Sequence, residues 1–459
     1  MPQHIFRAND IRGKAESELT DPIVKSIAWA LAELFSSHDV RRIGVARDVR
    51  LSSPRIMKSI VNQLSHLNLT VIDCGVLPSP VAYFAGHTED DLDGFVIITA
   101  SHNPSEYNGI KVNIKGQSLN ASQAQQLFQW ANQAPEINTS EEYKLEQRFI
   151  IPKYIDFLSK KFEIASDLKV VIDPANATGA IVAPKLLSAL GVAHEVIHGE
   201  IDGAFPNHHP DPTVAANMKD LAQTVLANDA DLGIGFDGDS DRIGVVDDKG
   251  RFISGDILTA IFANDILSNN PGASIVIEVK SSQLLIDCIE SAGGKVEMSA
   301  VGHGFIKQKM AETNALLAGE LSGHMFFSDD YFGYDDAFYC MLRLLKLLST
   351  SNKKLSEIID AFPVYFNTPE IHLICCSDEE KFSLFESIKA DLINYPDYSD
   401  LDGLRINFEK GWALVRPSNT QPVIVTRYEA NSNEALAEIR KEIGAVIGRY
   451  FKGEIKELS

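Results

Sequence analysis

Leu232-Gly233-Ile234-Gly235-Phe236-Asp237-Gly238-Asp239-Ser240-Asp241-Arg242-Ile243-Gly244-Val245-Val246 is the stretch that decides what kind of chain this is. An apolar run ends in a tight polar turn and a second apolar run follows at once, which reads as strand, loop, strand. Gly233, Gly235 and Gly238 formally satisfy the dinucleotide spacing G-x-G-x-x-G. That fold, however, needs a helix after the turn, with its N-terminus on the pyrophosphate. Ile243 onward is strand-like, and three aspartates would repel a pyrophosphate, so a dinucleotide site is excluded. An EF-hand is excluded as well: Arg242 stands sixth, where glycine is needed, and Asp248 stands twelfth in place of glutamate. Carboxylates at alternate positions then form either a solvated acidic loop or a site for a hard divalent cation that offsets their repulsion.

The same pattern, an apolar strand running into a small polar loop, recurs at 97–104 and 316–324. In open α/β sheets ligands bind beyond the carboxyl ends of strands, so chemistry is expected in these loops. Strands are expected at 43–46, 70–73, 95–99, 170–173, 232–236 and 275–279, alternating with helical patterns. In one such helix Ile23, Ile27, Leu31 and Leu34 share a face, and Thr20 and Asp21 before Pro22 mark its start. After Phe362 the texture changes to a strand at 370–375, a helix at 378–392, Leu414, a strand at 423–426 and a helix carrying Leu436, Ile439, Ile443 and Ile447. The fold class expected is α/β: three similar α/β domains with mixed, mostly parallel sheets, then a smaller C-terminal α+β domain, around a central cleft.

A length of 459 residues suits three or four domains. Hydrophobic residues at 45% and charged residues at 23% are ordinary for a soluble globular protein, so neither disorder nor a fibre is indicated. The formal net charge of −21 excludes sequence-independent binding to nucleic acid or anionic membrane, and an anionic ligand must meet a local basic cluster. Cys74, Cys288, Cys340, Cys375 and Cys376 are odd in number and lack CxxC spacing, which speaks against a disulfide framework or zinc ribbon and for a reducing, cytoplasmic location. No stretch approaches the roughly 18 apolar residues of a membrane span, and neither an export signal nor an anchor is expected.

Thr99-Ala100-Ser101-His102-Asn103-Pro104 closes a strand with a hydroxyl, an imidazole and an amide. Read alone it is either a structural turn or a turn that projects a nucleophilic hydroxyl. No G-x-S-x-G occurs, so a hydrolase elbow has no support. Followed by Asp237-Gly238-Asp239-Ser240-Asp241-Arg242, this loop resembles the phosphoserine and metal loops of the α-D-phosphohexomutase superfamily. Gly319-Glu320-Leu321-Ser322-Gly323-His324 is similar to its sugar-binding loop. Arg416-Pro417-Ser418-Asn419-Thr420-Gln421-Pro422 is similar to its phosphate-binding loop. Order and spacing match from Phe6-Arg7 almost to the C-terminus, and four motifs in one order are far more specific than any one. The domain division expected is 1–148, 149–251, 252–368 and 369–459.

The resemblance implies that Ser101 carries a phosphoryl group, and that Asp237, Asp239 and Asp241, with a phosphoserine oxygen, hold Mg2+. Arg12, Lys111 and Arg242 would surround the transferring phosphate, although each taken singly could be a surface charge. Glu320 and Ser322 would take the sugar's 3- and 4-hydroxyls, joined by Lys280, Gly302, His303 and His324. Arg416, Ser418, Asn419 and Thr420 would grip the phosphate that stays in place, with Arg427 a possible helper. His303 and His324 read alone are better explained as satisfied interior histidines. His102, Lys111 and His303 are candidate bases that sequence does not rank. The implied reaction moves phosphate between the 1- and 6-positions through a hexose 1,6-bisphosphate that turns around, with glucose 1,6-bisphosphate or its mannose equivalent as activator. A turning intermediate favours a last domain that opens and closes. The partners implied are small sugar phosphates, and a monomer is expected.

The sugar loop, with Phe326, Phe327, Tyr331, Phe332 and Tyr334 leading to Asp335-Asp336, is most similar to the bifunctional phosphomannomutase/phosphoglucomutase branch. Contacts at the 3- and 4-hydroxyls leave position 2 unread, so both epimers would be accepted. Two departures stand out: Asn9 replaces a usual tyrosine, and Ser240 replaces a common glycine. Phosphoglucosamine mutase is the nearest rival. A strand followed by Asp237-Gly238-Asp239 also resembles the aspartyl-phosphate nucleophile of haloacid-dehalogenase-type phosphatases and mutases. A non-enzymatic sensor of sugar phosphates would need a broken motif, and none is broken.

Overall fold

In the computed structural model, residues 1–7, 10–136, 143, 145–164, 167–418 and 421–457 are described. Asn9, Asn419 and Thr420 lie outside them. The chain builds two compact units. One comprises Met1–Ile253, Ser322–Phe326 and Tyr334–Ser356, the other Ser254–Leu321, Phe327–Gly333 and Glu357–Ser459.

The first unit carries two mixed sheets. In the first sheet Arg42–Arg47 lies between Thr70–Val76 and Gly94–Ile98, parallel to both, and the antiparallel strand Tyr107–Ile114 then links Gly94–Ile98 to Ile11–Lys14. The helix over Asp21–Ser37 starts after Thr20 as its sequence signals predict, and Ile27, Leu31 and Leu34 are fully buried on its inner face with Ile43, Val45 and Val96. Each such burial contributes roughly 1.5–3 kcal/mol. In the second sheet Lys169–Asp173 is parallel to both Ala193–Val196 and Leu232–Phe236, and Leu232–Phe236 pairs antiparallel with Ile243–Asp247. Every residue of Leu232–Phe236 and Ile243–Asp247 is buried, which is why both read as continuous apolar runs.

In the second unit Ser274–Glu278 is parallel to Lys295–Ser299 and Leu317–Gly319. The C-terminal residues form an antiparallel sheet around Gly411–Pro417 and Val423–Ala430, covered by the helices Asp378–Leu392 and Asn433–Tyr450. Ile439, Ile443 and Ile447 are buried as the helical spacing predicts. The loops at 97–104, 234–242 and 316–324 each follow the carboxyl end of a strand, Gly94–Ile98, Leu232–Phe236 and Leu317–Gly319 respectively.

Candidate active site

Ser101 takes a left-handed backbone conformation, with φ of 51°. A non-glycine residue rarely adopts it, and such strain persists where surroundings fix it. Two anchors do so here. The Ser101 amide donates to Thr99 Oγ1 at 2.9 Å, and the fully buried Arg50 guanidinium donates to the carbonyls of Ser101 at 2.8 Å and Asn103 at 2.6 Å. Arg50 also reaches the carbonyls of Pro104 and Tyr107 while paired with Asp48. Burial lowers the pKa of Arg50 against the opposing charge of Asp48, yet a guanidinium stays protonated. Sequence reading missed Arg50, although it follows the strand at 43–46 in a polar turn like those of the other loops.

The hydroxyl so presented donates to Asp237 Oδ2 at 2.6 Å, from a loop 136 positions away. Gly238 makes this approach possible: a Cβ there would lie 2.3 Å from the Ser101 carbonyl oxygen. Asp237, Asp239 and Asp241 are buried, with ligand oxygens within 4.8 Å of one another. Lys111, placed opposite Ile97 by the antiparallel register, donates to Asp239 Oδ2 and Asp241 Oδ2 at 2.6 Å each. Burial alone would lower the lysine pKa, but the two aspartates hold it well above the ordinary value. The same pair acts on Asp239, whose carboxyl stays below the usual range despite burial. Asp237 is raised well above that range, by burial and then by the charges of Asp241 and Asp239, against the pull of Arg242.

One ammonium leaves this buried cluster net negative. Asp239 Oδ1 and Asp241 Oδ1 are buried with no hydrogen-bond partner in the protein, while their Oδ2 atoms are held by Lys111. Free, buried, hard oxygens of like charge fit a divalent cation. Ser240 has φ of 63°, which explains why glycine suits that position, and its hydroxyl lies 3.1 Å from that of Thr178.

Other sequence-predicted residues join this group in the first unit. His102 Nδ1 is 3.3 Å from Ser101 Oγ. Burial, then the cations Arg242 and Arg12, hold its pKa well below the ordinary value, so the ring is neutral. Arg12 donates to Asn103 Oδ1 at 2.7 Å and pairs with Asp10. Arg242 donates from its backbone to Asp237 Oδ1 at 3.1 Å and from Nε to His324 Nε2 at 3.0 Å. Because Nε2 accepts from Arg242, the ring proton of His324 falls to Nδ1, which lies 3.1 Å from Asp335 Oδ2. Ser79 bonds Asp239 through its hydroxyl and its amide, a support the sequence did not advertise. Ser322 is half-buried in this unit.

In the second unit Gly302, with φ of 126°, opens the helix His303–Thr313 and donates its amide to Glu320 Oε1 at 2.9 Å. Lys280 Nζ lies 3.0 Å from Glu370 and 3.8 Å from Glu278. Glu278 is pushed up to about 7 by burial, and by Glu320 against the pull of Lys280, while its Oε1 accepts the Leu321 amide at 2.7 Å. Arg416 bonds Asp402, whose Oδ2 also takes the Val301 amide. Ser418 accepts the Gln421 amide at 3.2 Å on its hydroxyl, and its carbonyl accepts from the buried Lys381 at 2.8 Å. Arg427 is nine-tenths buried and donates to the Lys280 carbonyl. His303 is half-buried at the start of its helix.

Four family descriptions match the chain in order: Phosphoglucomutase/phosphomannomutase alpha/beta/alpha domain I at residues 3–137, domain II at 152–250, domain III at 254–365 and the C-terminal domain at 374–446. The chain belongs to the phosphoglucomutase/phosphomannomutase family and has its four-domain α/β architecture with mixed sheets. It is 41% identical over 443 residues to the phosphomannomutase/phosphoglucomutase of Pseudomonas aeruginosa, covering 96% of this chain and 94% of that one. It is 37% identical to the phosphoglucomutase of Neisseria gonorrhoeae, with 96% of each covered. A crystal structure of a phosphoglucomutase/phosphomannomutase family protein from Burkholderia thailandensis superposes with a TM-score of 0.90 at 34% identity, covering 98% of both chains.

Proposed function

We propose that this chain is an isomerase that moves a phosphoryl group between the 1- and 6-positions of mannose or glucose phosphates. The observation that carries the reading is Ser101, strained, buried and hydrogen-bonded to an aspartate cluster that has spare oxygens. In the cycle, Ser101 starts as a phosphoserine. A substrate hydroxyl attacks its phosphorus, the bond to Ser101 Oγ breaks as the bond to the sugar oxygen forms, and the hydroxyl proton passes through a base to the departing Ser101 Oγ. The bisphosphate turns, and Ser101 Oγ attacks the other phosphate, whose bond to the sugar oxygen breaks while the Ser101 proton is passed to that oxygen. Asp237, Asp239 and Asp241 would hold Mg2+, which when bound polarises the phosphoryl group and neutralises developing charge. Arg12, Lys111 and Arg242 add fixed cations there.

His102 suits the accepting role better than Lys111, because it is neutral beside Ser101 whereas Lys111 is a tied ammonium. His324 is assigned to the same phosphate-handling group. Lys280, Gly302, His303, Glu320 and Ser322 are assigned to the sugar, and Arg416, Ser418, Asn419 and Thr420 to the resting phosphate. Glucose 1,6-bisphosphate would act as activator, restoring phosphoserine when it is lost. The division 1–148, 149–251, 252–368 and 369–459, a monomeric state and a cytoplasmic location complete the proposal; no described helix is long and apolar enough to cross a membrane. Intact-mass measurement with site mapping, before and after glucose 1,6-bisphosphate, should place one phosphate on Ser101. A Ser101→Ala chain that interconverts hexose phosphates at the parental rate without added bisphosphate would refute the reading.

A further inference from the structure

Outside the aspartate loop, the second sheet gathers another set of ligand atoms. Asp173 ends the strand Lys169–Asp173, and His198 follows the neighbouring parallel strand Ala193–Val196. His208 comes from the loop that leads to Pro210. Asp173 Oδ2 is 3.1 Å from His198 Nδ1 and 2.9 Å from His208 Nε2, and the three atoms lie within 4.8 Å of one another. We propose that Asp173, His198 and His208 form a zinc site, separate in residues and in ligand chemistry from the aspartate loop.

The far side of each ligand supports this. His208 Nδ1 lies 2.8 Å from the His209 carbonyl oxygen, so Nδ1 carries a proton and Nε2 is left to bind. His198 Nε2 lies 3.6 Å from Asp220 Oδ2, which orients its Nδ1 inward in the same way. Asp173 Oδ1 accepts the Ala175 amide at 2.9 Å and Oδ2 faces the imidazoles. Ligating histidines are held in this manner, with the second ring nitrogen given to a carbonyl or carboxylate.

Without a cation the cluster is held by hydrogen bonds alone. One carboxylate oxygen must accept from both rings, and His208 needs protons on both nitrogens at once, since each faces an acceptor. A cation replaces the two inward protons. Tetrahedral zinc, with bonds of about 2.0–2.1 Å, spaces its ligand atoms by about 3.3 Å, a few tenths of an ångström more than the 3.1 and 2.9 Å that separate Asp173 Oδ2 from the two ring nitrogens. Two imidazoles and one carboxylate suit Zn2+, whereas the aspartate loop offers only hard oxygens, which suit Mg2+. The side chains of His198 and His208 are 13% and 14% exposed, shielded but open to an entering ion. The fourth position falls to water. The site would clip the loop carrying His208 to the sheet. Pro210, two residues on, packs within 3.6 Å of the Cβ direction at Gly238, so the clip lies under the aspartate loop.

The test uses the full chain with Asp241→Asn and His324→Ala, which disables both other clusters able to hold a metal among the described residues. After chelator treatment it is titrated with Zn2+ by calorimetry and with Co2+ by visible absorption. One equivalent of Zn2+ should bind at about micromolar affinity or tighter, with d–d bands of a tetrahedral Co2+ site. Adding His198→Gln or His208→Gln should weaken binding about 100-fold or more. If either variant fails to fold, proton NMR of the Co2+-loaded parent decides, since two histidine rings should show paramagnetic shifts. Absence of stoichiometric Zn2+ binding, survival of tight binding in both glutamine variants, or unshifted histidine rings would overturn the proposal.

Discussion

Position 101 shows how much one side chain depends on charges it does not carry. Its hydroxyl points at Asp237, whose own charge is opposed by burial and by Asp239 and Asp241. Lys111 is the one cation bonded to both of the latter among the described contacts. Replacing Lys111 with methionine leaves buried carboxylates uncompensated, so the chelated protein should lose about 3–5 kcal/mol of stability. Millimolar Mg2+ should recover part of that loss by binding only the folded state. A thermal melt of Lys111→Met that ignores both chelator and Mg2+ would show that the aspartates do not act as one metal-binding unit. His102 gives a second test. Its folded pKa is depressed, by burial first, so below the unfolded value of about 6.5 the unfolded chain binds the extra proton. Stability of the chelated, unphosphorylated protein should therefore fall as pH drops below about 6.5, and His102→Gln should flatten that fall. Equal slopes in the two proteins would contradict the neutral imidazole.

Loops and strands act here as units rather than as single residues. Arg50 ties the carbonyls of Ser101, Asn103, Pro104 and Tyr107 into one rigid turn, which no lysine can reproduce because it lacks the planar fork. Arg50→Lys should lower kcat about 10- to 100-fold through misplacement of the nucleophile. Amide exchange should speed up at 101–107 and stay unchanged along Gly94–Ile98, and uniform exchange across both segments would remove the case for a local role. Gly238→Ala acts on the contact between two loops. The added methyl meets the Ser101 carbonyl oxygen, so the loops must part and divalent affinity should drop at least about tenfold while the sheet persists. Metal titration of this variant at parental affinity would argue against that close approach.

At the scale of the folded units, a buried polar seam joins residues 279–283 to the C-terminal sheet inside the second unit. Arg405 donates to the carbonyls of Val279 and Ser281 and stacks 4.0 Å over Trp412. Glu429 accepts from the Gln283 amide and the Trp412 indole. If the proposed bisphosphate turns within the site, this seam is what an opening last domain has to loosen. Arg405→Met leaves the buried Val279 and Ser281 carbonyls without this donor, so a loss of about 1–3 kcal/mol is expected in thermal unfolding. An unchanged melting temperature would mean that the seam is not what fastens the C-terminal sheet.

The sequence by itself determined the strands, the helices and the loops that carry the chemistry, because apolar periodicity and turn residues are local properties. The strand predicted at 232–236 and the helix at 378–392 have those bounds in the structure. Four motifs in order sufficed to indicate the family. Tertiary structure alone decided which groups meet. Lys111 reaches Asp239 only through the register that sets it opposite Ile97, and Ser101 meets Asp237 across 136 positions. Arg50, Ser79 and the Asp173, His198 and His208 cluster carry no local mark of their partners. Hydrogen bonds and charge pairs depend on distance in space, and a one-dimensional pattern holds that information only where neighbours in sequence are also neighbours in the fold.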